Sequence, residues 1–185
     1  MSDKKMRIAA VVYPVSEGAH ADTVISDVAR RLKSDGMRIA GAVQHNTHNG
    51  DRCRCDMTLE DLSSGRLVQI SEDRGPEARG CRLDSSALEE IVGMVCSSLE
   101  GSPDLVVVNK FGKREAEGSG FRAAIEQALG SGVAVLTAVS TTNLAEWESF
   151  AGGLDDRLPL DAAAISAWCS KADKHSEAEV APASP

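Results

Sequence analysis

An apolar run, Ile8 to Val12, leads into a polar segment from Tyr13 to Ala21, and helical spacing starts near Asp22. Strand, loop and helix in that order make the layout of a P-loop. There, backbone N–H groups cradle phosphates, a Lys reaches them and a Ser or Thr hydroxyl holds Mg²⁺. In this chain Ala21 falls where the Lys would stand and Asp22 where the hydroxyl would stand. A second apolar run, Leu105 to Val108, ends in Asn109-Lys110 in place of an acidic pair. The frame is that of a phosphate site, with the charges that would carry hydrolysis absent or reversed.

Such a site can still attract an anion. A loop that precedes a helix offers N–H groups and the positive end of the helix dipole without any Lys. Gly18, Ala19 and Ala21 contribute backbone there, and Tyr13, Ser16, His20 and Thr23 add side-chain donors. Asp22 and Glu17 act against a phosphate, and the plain alternative is a capped helix start with Asp22 on backbone N–H groups. At the second strand Lys110 is placed to supply the charge that Ala21 does not, with Asn109, Arg114 and Glu115 beside it. One or two cations plus backbone donors suit a tetrahedral oxyanion such as molybdate, sulfate or phosphate. The alternative is that Lys113, Arg114, Glu115 and Glu117 form a solvated surface network. Gln44, ending its own strand, is a further ligand contact.

His45, His48, Cys53 and Cys55 invite a metal reading, but His-x-x-His followed by Cys-x-Cys departs from structural zinc spacing. Arg52 and Arg54 between them oppose a cation, and no metal site is assigned. Cys81, Cys96 and Cys169 read as structural thiols, and Trp147 and Trp168 as packing residues.

The elements that must hold these residues follow from spacing. Val24, Ile25, Val28, Ala29 and Leu32 share one helical face from Asp22 to Ser34. Met37 to Val43 is a second strand, and Gln44 to Asp56 a polar loop. Asp56 to Ile70 reads as an antiparallel hairpin insertion turning at Asp61 to Gly65. Ser71 to Gly80 is loop. Ser85 to Leu99 is a helix capped by Asp84 or Ser85. A Gly-rich charged loop spans Gly112 to Gly120, followed by a helix from Phe121 to Leu129. A strand from Val133 to Val139 and short helices at Asn143 to Phe150 and Asp161 to Cys169 complete the set. Residues 1–170 form one α/β domain, an open, mostly parallel sheet with helices on both faces. Residues 171–185 form a polar tail expected to be disordered. Ligands in such sheets lie beyond the carboxyl ends of the strands.

Composition bounds the rest. The chain has 185 residues, 42% hydrophobic and only 3% aromatic, so its core rests on aliphatic side chains, as a covered parallel sheet requires. A net charge of −8 argues against nucleic acid or an anionic membrane as partner. No apolar run reaches the ~20 residues of a membrane span, and the N-terminal residues lack the apolar stretch of a signal peptide. Five cysteines in no even spacing fit a reduced compartment, so a cytoplasmic location is expected.

Several segments taken together carry a resemblance. They are YPVSEGAHADT at 13–23, GAVQ at 41–44, MTLEDLSSGRLVQI at 57–70, CRLD at 81–84, VVVNKFGKREAEG at 106–118, VAVLTAV at 133–139 and FAGGL at 150–154. Over Arg7 to Leu158 the chain resembles the thermophilic-type nucleoside triphosphatases of the P-loop superfamily. It is more similar still to a sister family known as molybdenum ABC transporter ATP-binding-like proteins. The resemblance implies a P-loop-NTPase-like fold with degenerate Walker A and B motifs, and a link to molybdenum metabolism. The expected function is a non-hydrolysing binding protein for an oxyanion, molybdate or tungstate, or for a nucleotide phosphate. No catalytic residue or obligate cofactor is assigned. Its expected partners are the anionic ligand, molybdenum-pathway proteins and a second copy in a homo-dimer. The alternatives are a weak hydrolase or transferase, with Mg²⁺ on Asp22, Glu115 or Glu117, and a scaffold with a vestigial cleft.

Overall fold

The computed structural model describes residues 6–48, 55–72 and 82–177. The apolar runs become strands β1 (Ile8–Tyr13), β2 (Ile39–His48), β7 (Leu105–Phe111) and β8 (Ala134–Ser140). β3 (Cys55–Asp61), β4 (Leu67–Gln69) and β9 (Asp155–Leu158) join them in a seven-stranded sheet of order β4-β3-β2-β7-β8-β1-β9. The five strands from β2 to β9 pair in parallel, and β3 and β4 continue the sheet antiparallel at one edge. A two-stranded pair, β5 (Ser71–Glu72) and β6 (Arg82–Leu83), lies apart from it.

Alternation along the buried strands feeds two cores. Ile8 and Ala10 face one side of β1, with Val106 and Val108 of β7, and meet α2 (Ser85–Ser98), α4 (Arg122–Gly130) and α5 (Leu144–Ala151). Ala9, Val11 and Tyr13 face the other, with Leu105 and Val107, and meet α1 (Gly18–Ser34) and α6 (Ala162–Glu177). Each fully buried aliphatic side chain contributes about 1.5–3 kcal/mol of transfer free energy. Two consecutive acids of the edge strand fix the outermost helices. Trp147 Nε1 of α5 donates to Asp155 at 2.8 Å, and Trp168 Nε1 of α6 donates to Asp156 at 2.7 Å. Neighbouring strand residues point to opposite faces, so one dipeptide serves both layers. On the second face burial pushes the Cys169 thiol up to about 12, against the pull of Arg7. Burial likewise raises Cys96. Cys169 is buried in the second core and half-buried Cys96 packs against the first.

One glycine is required by close approach. Gly41 in β2 has φ +118°, and a Cβ there would lie 1.9 Å from the Val107 carbonyl oxygen. Any side chain would push β2 off β7.

Several boundaries differ from those read in the sequence. The polar segment starting at Gln44 is strand as far as His48. Its partner is β3, in antiparallel register from Ala42↔Asp61 to His48↔Cys55. Cross-strand pairing outweighs a polar composition there. The 56–70 hairpin is present, but it extends the main sheet. β9 escaped notice because an edge strand reading Asp-Asp-Arg-Leu carries no apolar alternation. The segment 112–120 contains a short helix, α3 (Lys113–Ala116). α6 continues past Cys169 to Glu177, so the tail expected from Lys171 starts in helix. Cys53 and Cys81 lie outside the described residues. Among the described residues no helix is long and apolar enough to cross a membrane.

Candidate functional site

The carboxyl ends of β1, β2 and β7 meet the start of α1, where the sequence places its phosphate loop. The turn after β1 is short. Pro14 leads directly into a 3₁₀ turn, Val15–Glu17, and α1 follows at Gly18. Glu17 N–H donates to Pro14 O at 2.8 Å, and Gly18 N–H donates to Val15 O. The loop expected from Tyr13 to Ala21 is therefore largely helical. No residue from Tyr13 to Asp22 has a positive φ, and Gly18 itself is right-handed at φ −55°. A backbone anion nest needs alternating right- and left-handed residues. Non-glycine residues at 15 and 20, and two alanines at 19 and 21, favour helix over that alternation.

Ser16, Ala19, His20 and Thr23 lie on the exposed side of this turn, and the Thr23 hydroxyl donates to Ala19 O at 3.1 Å. Ala21 and Asp22 point inward. Asp22 is 3% exposed, and its carboxylate is the centre of the site. Asn46 Nδ2 donates to its Oδ2 at 2.8 Å. Asn109 Nδ2 and Lys110 Nζ both approach its Oδ1 at 2.8 Å. Asn109 Oδ1 in turn accepts the Gln44 backbone N–H at 2.9 Å, and Gln44 Nε2 donates to Asn46 Oδ1 at 2.7 Å. The helix-cap role considered for Asp22 is not what the carboxylate does: its partners come from β2 and β7.

Two successive strand residues normally face opposite sides of a sheet. Asn109 and Lys110 both reach Asp22 because β7 is irregular there. Val108 pairs with Thr137, whereas Phe111 pairs with Val139, so β7 carries one extra residue. Such a bulge redirects a side chain. Gln44 and Asn46, two apart on β2, share a face without help.

Tyr13 ends β1 at 5% exposure. Burial, and then the Asp22 charge, push its phenol up to about 12. His45, on the opposite face from Gln44, pairs with Glu60 of β3 at 2.7 Å. Among the described residues no group of three or more His, Cys, Asp or Glu is placed to hold a metal ion.

Glu115 behaves differently from the role weighed for it as a Mg²⁺ ligand. It is 7% exposed, and it accepts Gly112 N–H on Oε2 and Phe121 N–H on Oε1, both at 3.0 Å. Both oxygens are engaged in closing the turn. Gly120 sits against it at φ +58°, where a Cβ would lie 2.3 Å from Oε1. Arg114 is half-buried and donates to Ser85 Oγ at 3.0 Å, and Lys113 faces Glu117 at 3.7 Å on the surface. Of the solvated network read for these residues, the structure has the Lys113–Glu117 pair, while Arg114 turns to Ser85 and Glu115 is buried.

Of the residues singled out in the sequence, the fold brings Asp22, Asn109, Lys110 and Gln44 into one network beside Tyr13. It leaves Ser16, Ala19, His20, Thr23, Arg114 and Glu115 outside it. Asn46 was missed as a site residue. Its two-residue spacing from Gln44 was the available signal, hidden by reading the segment as loop.

Comparison with known proteins places this arrangement in context. The chain is 37% identical over 162 residues, 88% of its length, to the molybdenum import ATP-binding protein ModC 2 of Bradyrhizobium diazoefficiens. It spans only 18% of that relative's length. The crystal structure of THEP1 from the hyperthermophile Aquifex aeolicus superposes with a TM-score of 0.60 at 12% identity, covering 89% of this chain and 95% of that one. The two chains thus share a fold, a single α/β domain with a mostly parallel sheet. With a family model matching residues 8–168, the chain belongs to DUF2478, a family described as protein of unknown function.

Proposed function

We propose that this chain is a non-hydrolysing binding module with degenerate Walker A and B motifs, which takes a tetrahedral oxyanion of the molybdate or tungstate class at Lys110. The observation that carries it is the Asp22–Lys110 pair at 2.8 Å. A hydrolysing P-loop holds its cation on the helix and its metal-organising acid on the strand. Here the same gap is bridged with the polarity reversed. A Mg²⁺ ion would meet the Lys110 ammonium, and a nucleotide's phosphates would meet Asp22. A compact dianion asks less: one cation and a few neutral donors. Lys110 is 32% exposed at its side chain, against 5% for Asp22, so the cation is the partner an arriving anion meets. Asn46 and Asn109 retain Asp22 when it does.

The link to molybdenum handling rests on the relative at 37% identity, whose name refers to molybdenum import. The chain corresponds to a minor part of that protein, so an accessory binding or sensing role fits better than a share in ATP turnover. Self-association as a homo-dimer and contact with molybdenum-pathway proteins belong to the same proposal, and light scattering with and without molybdate tests the first.

The test is a thermal-shift series with molybdate, tungstate, sulfate, phosphate, ATP and GTP, each with and without Mg²⁺. A ligand that binds only the folded chain raises Tm by mass action. Molybdate and tungstate are expected to do so without Mg²⁺, and Lys110→Ala to abolish the shift. A shift that requires nucleotide plus Mg²⁺, with phosphate release, overturns the proposal in favour of a hydrolase. No shift with any ligand leaves a scaffold.

A further inference from the structure

One polar group beside Asp22 is left unused by its network. Tyr13 ends β1, paired with Ser140 of β8, and is 5% exposed. Among the described residues its hydroxyl makes no hydrogen bond. Nor is it sealed in: among those residues, the unpaired side-chain atoms closed off from solvent are Arg7 Nη1, Asp61 Oδ1 and Thr137 Oγ1. A tyrosine buried along its ring, with an idle and open hydroxyl, calls for a partner from outside the chain.

Two neighbours fix where that hydroxyl stands. A Cβ on Gly18 would lie 3.9 Å from Tyr13 Cε2, the ring carbon next to the one that bears the hydroxyl, and would meet nothing else within 4 Å. Glycine leaves that edge of the ring uncovered. Asp22 follows one helical turn later on the same face of α1, and its charge reaches the phenol. Burial, and then Asp22, push the phenol up to about 12, so it holds its proton at neutral pH and stays a donor. Asp22 itself is already supplied by Asn46, Asn109 and Lys110, with Lys110 Nζ at 2.8 Å. A cation and a free neutral donor therefore gather at one carboxylate.

On the reading that Lys110 receives an oxyanion, we propose that Tyr13 is the second contact: its hydroxyl donates to one oxygen of the tetrahedral anion that Lys110 neutralises, and Gly18 keeps the approach open. The oxygens of such a dianion are all acceptors, so a cation and a hydroxyl can each take one.

Tyr13→Phe is the direct probe, because the hydroxyl it removes has no partner in the folded chain. Its Tm is expected to equal that of the parent. Calorimetric titration is expected to show tungstate and molybdate bound about tenfold more weakly, the loss of one hydrogen bond to a charged group. Gly18→Leu covers the ring edge at a right-handed φ of −55° that any residue adopts, and should cost a similar factor. In the Tyr13→Phe background it should add little, since both changes act on one contact. Near-ultraviolet difference absorbance reads the contact itself: the chain has one tyrosine, and tungstate is expected to shift its phenol band to the red in the parent and not in Tyr13→Phe. Parent-like affinity of Tyr13→Phe overturns the proposal while the Lys110 site stands. Failure of the parent chain to bind either anion removes that site, and the role of Tyr13 with it.

Discussion

Two carboxylates at the carboxyl edge of the sheet follow opposite designs. Glu115 spends both oxygens on backbone N–H groups of its own turn, Gly112 and Phe121. Asp22 takes side chains from two other strands, Asn46 of β2 and Asn109 and Lys110 of β7. Both are buried, so each needs its partners. The first shapes one turn. The second ties together the start of α1 and two strands that are neighbours only in space. A local carboxylate builds a loop, whereas a long-range one builds a site.

The sharpest way to separate the two is to delete each. Glu115→Ala leaves two turn N–H groups without acceptors, and the expected loss is about 3 kcal/mol at 1–3 kcal/mol per unsatisfied group. Gly120→Ala should cost a comparable amount, since it forces a Cβ onto Glu115 at a left-handed φ. In thermal melts that loss corresponds to a fall on the order of 10 °C. Glu115→Gln, which keeps one acceptor, should recover about half. Protection of amides against hydrogen exchange should fall around residues 112–121 and little elsewhere.

Asp22→Ala should cost less, about 2 kcal/mol, because Lys110 can turn to solvent while the two amides lose an acceptor. Its exchange signature is the critical contrast: protection should fall together at the start of α1, the Gln44 end of β2 and the bulge of β7. A loss confined to α1 would break the comparison and make Asp22 another local residue. Lys110→Met, which leaves Asp22 with both amide donors, should cost about 1 kcal/mol. It should also remove the oxyanion response that Asp22→Asn is expected to strengthen.

The same contrast explains what the sequence disclosed. Glu115 serves N–H groups only three and six residues away, yet its sequence context reads as that of a ligand or surface residue, since Gly112 lacks the Ser or Thr side chain that marks a capping box. Apolar runs such as Leu105 to Val108 betrayed the buried strands and hence the α/β layering. The register that lets Lys110 reach Asp22 is a different matter. It depends on one extra residue in β7 against β8, and nothing in the order Val-Asn-Lys-Phe marks a bulge. The first loop misled for a related reason. Its polar residues suggested an open phosphate cradle, while the helix propensity of Ala19 and Ala21 carried α1 back to Gly18. Burial of Asp22 was legible only as a charge in the wrong place, and its partners lie 24 and more residues away.

The smallest effect probes the Asp22 charge without removing any contact of the turn. The chain has one tyrosine, so the ultraviolet absorbance of its phenolate reports Tyr13 alone. In the folded state its midpoint is expected near 12, raised from 10.0 first by burial and then by Asp22. The sign of the stability effect follows. Below pH 10 both folded and unfolded chains hold the phenol proton, and the contribution of Tyr13 is intact. As pH rises from 10 toward 12 the unfolded chain releases its proton first, so stability declines across that window. Asp22→Asn should move the folded midpoint down only in part, since burial, the larger cause, stays. A midpoint unmoved by Asp22→Asn would mean that Asn46, Asn109 and Lys110 already screen the carboxylate from its neighbour. The network would then be electrostatically closed, and an anion would have to open it before meeting any net charge at all.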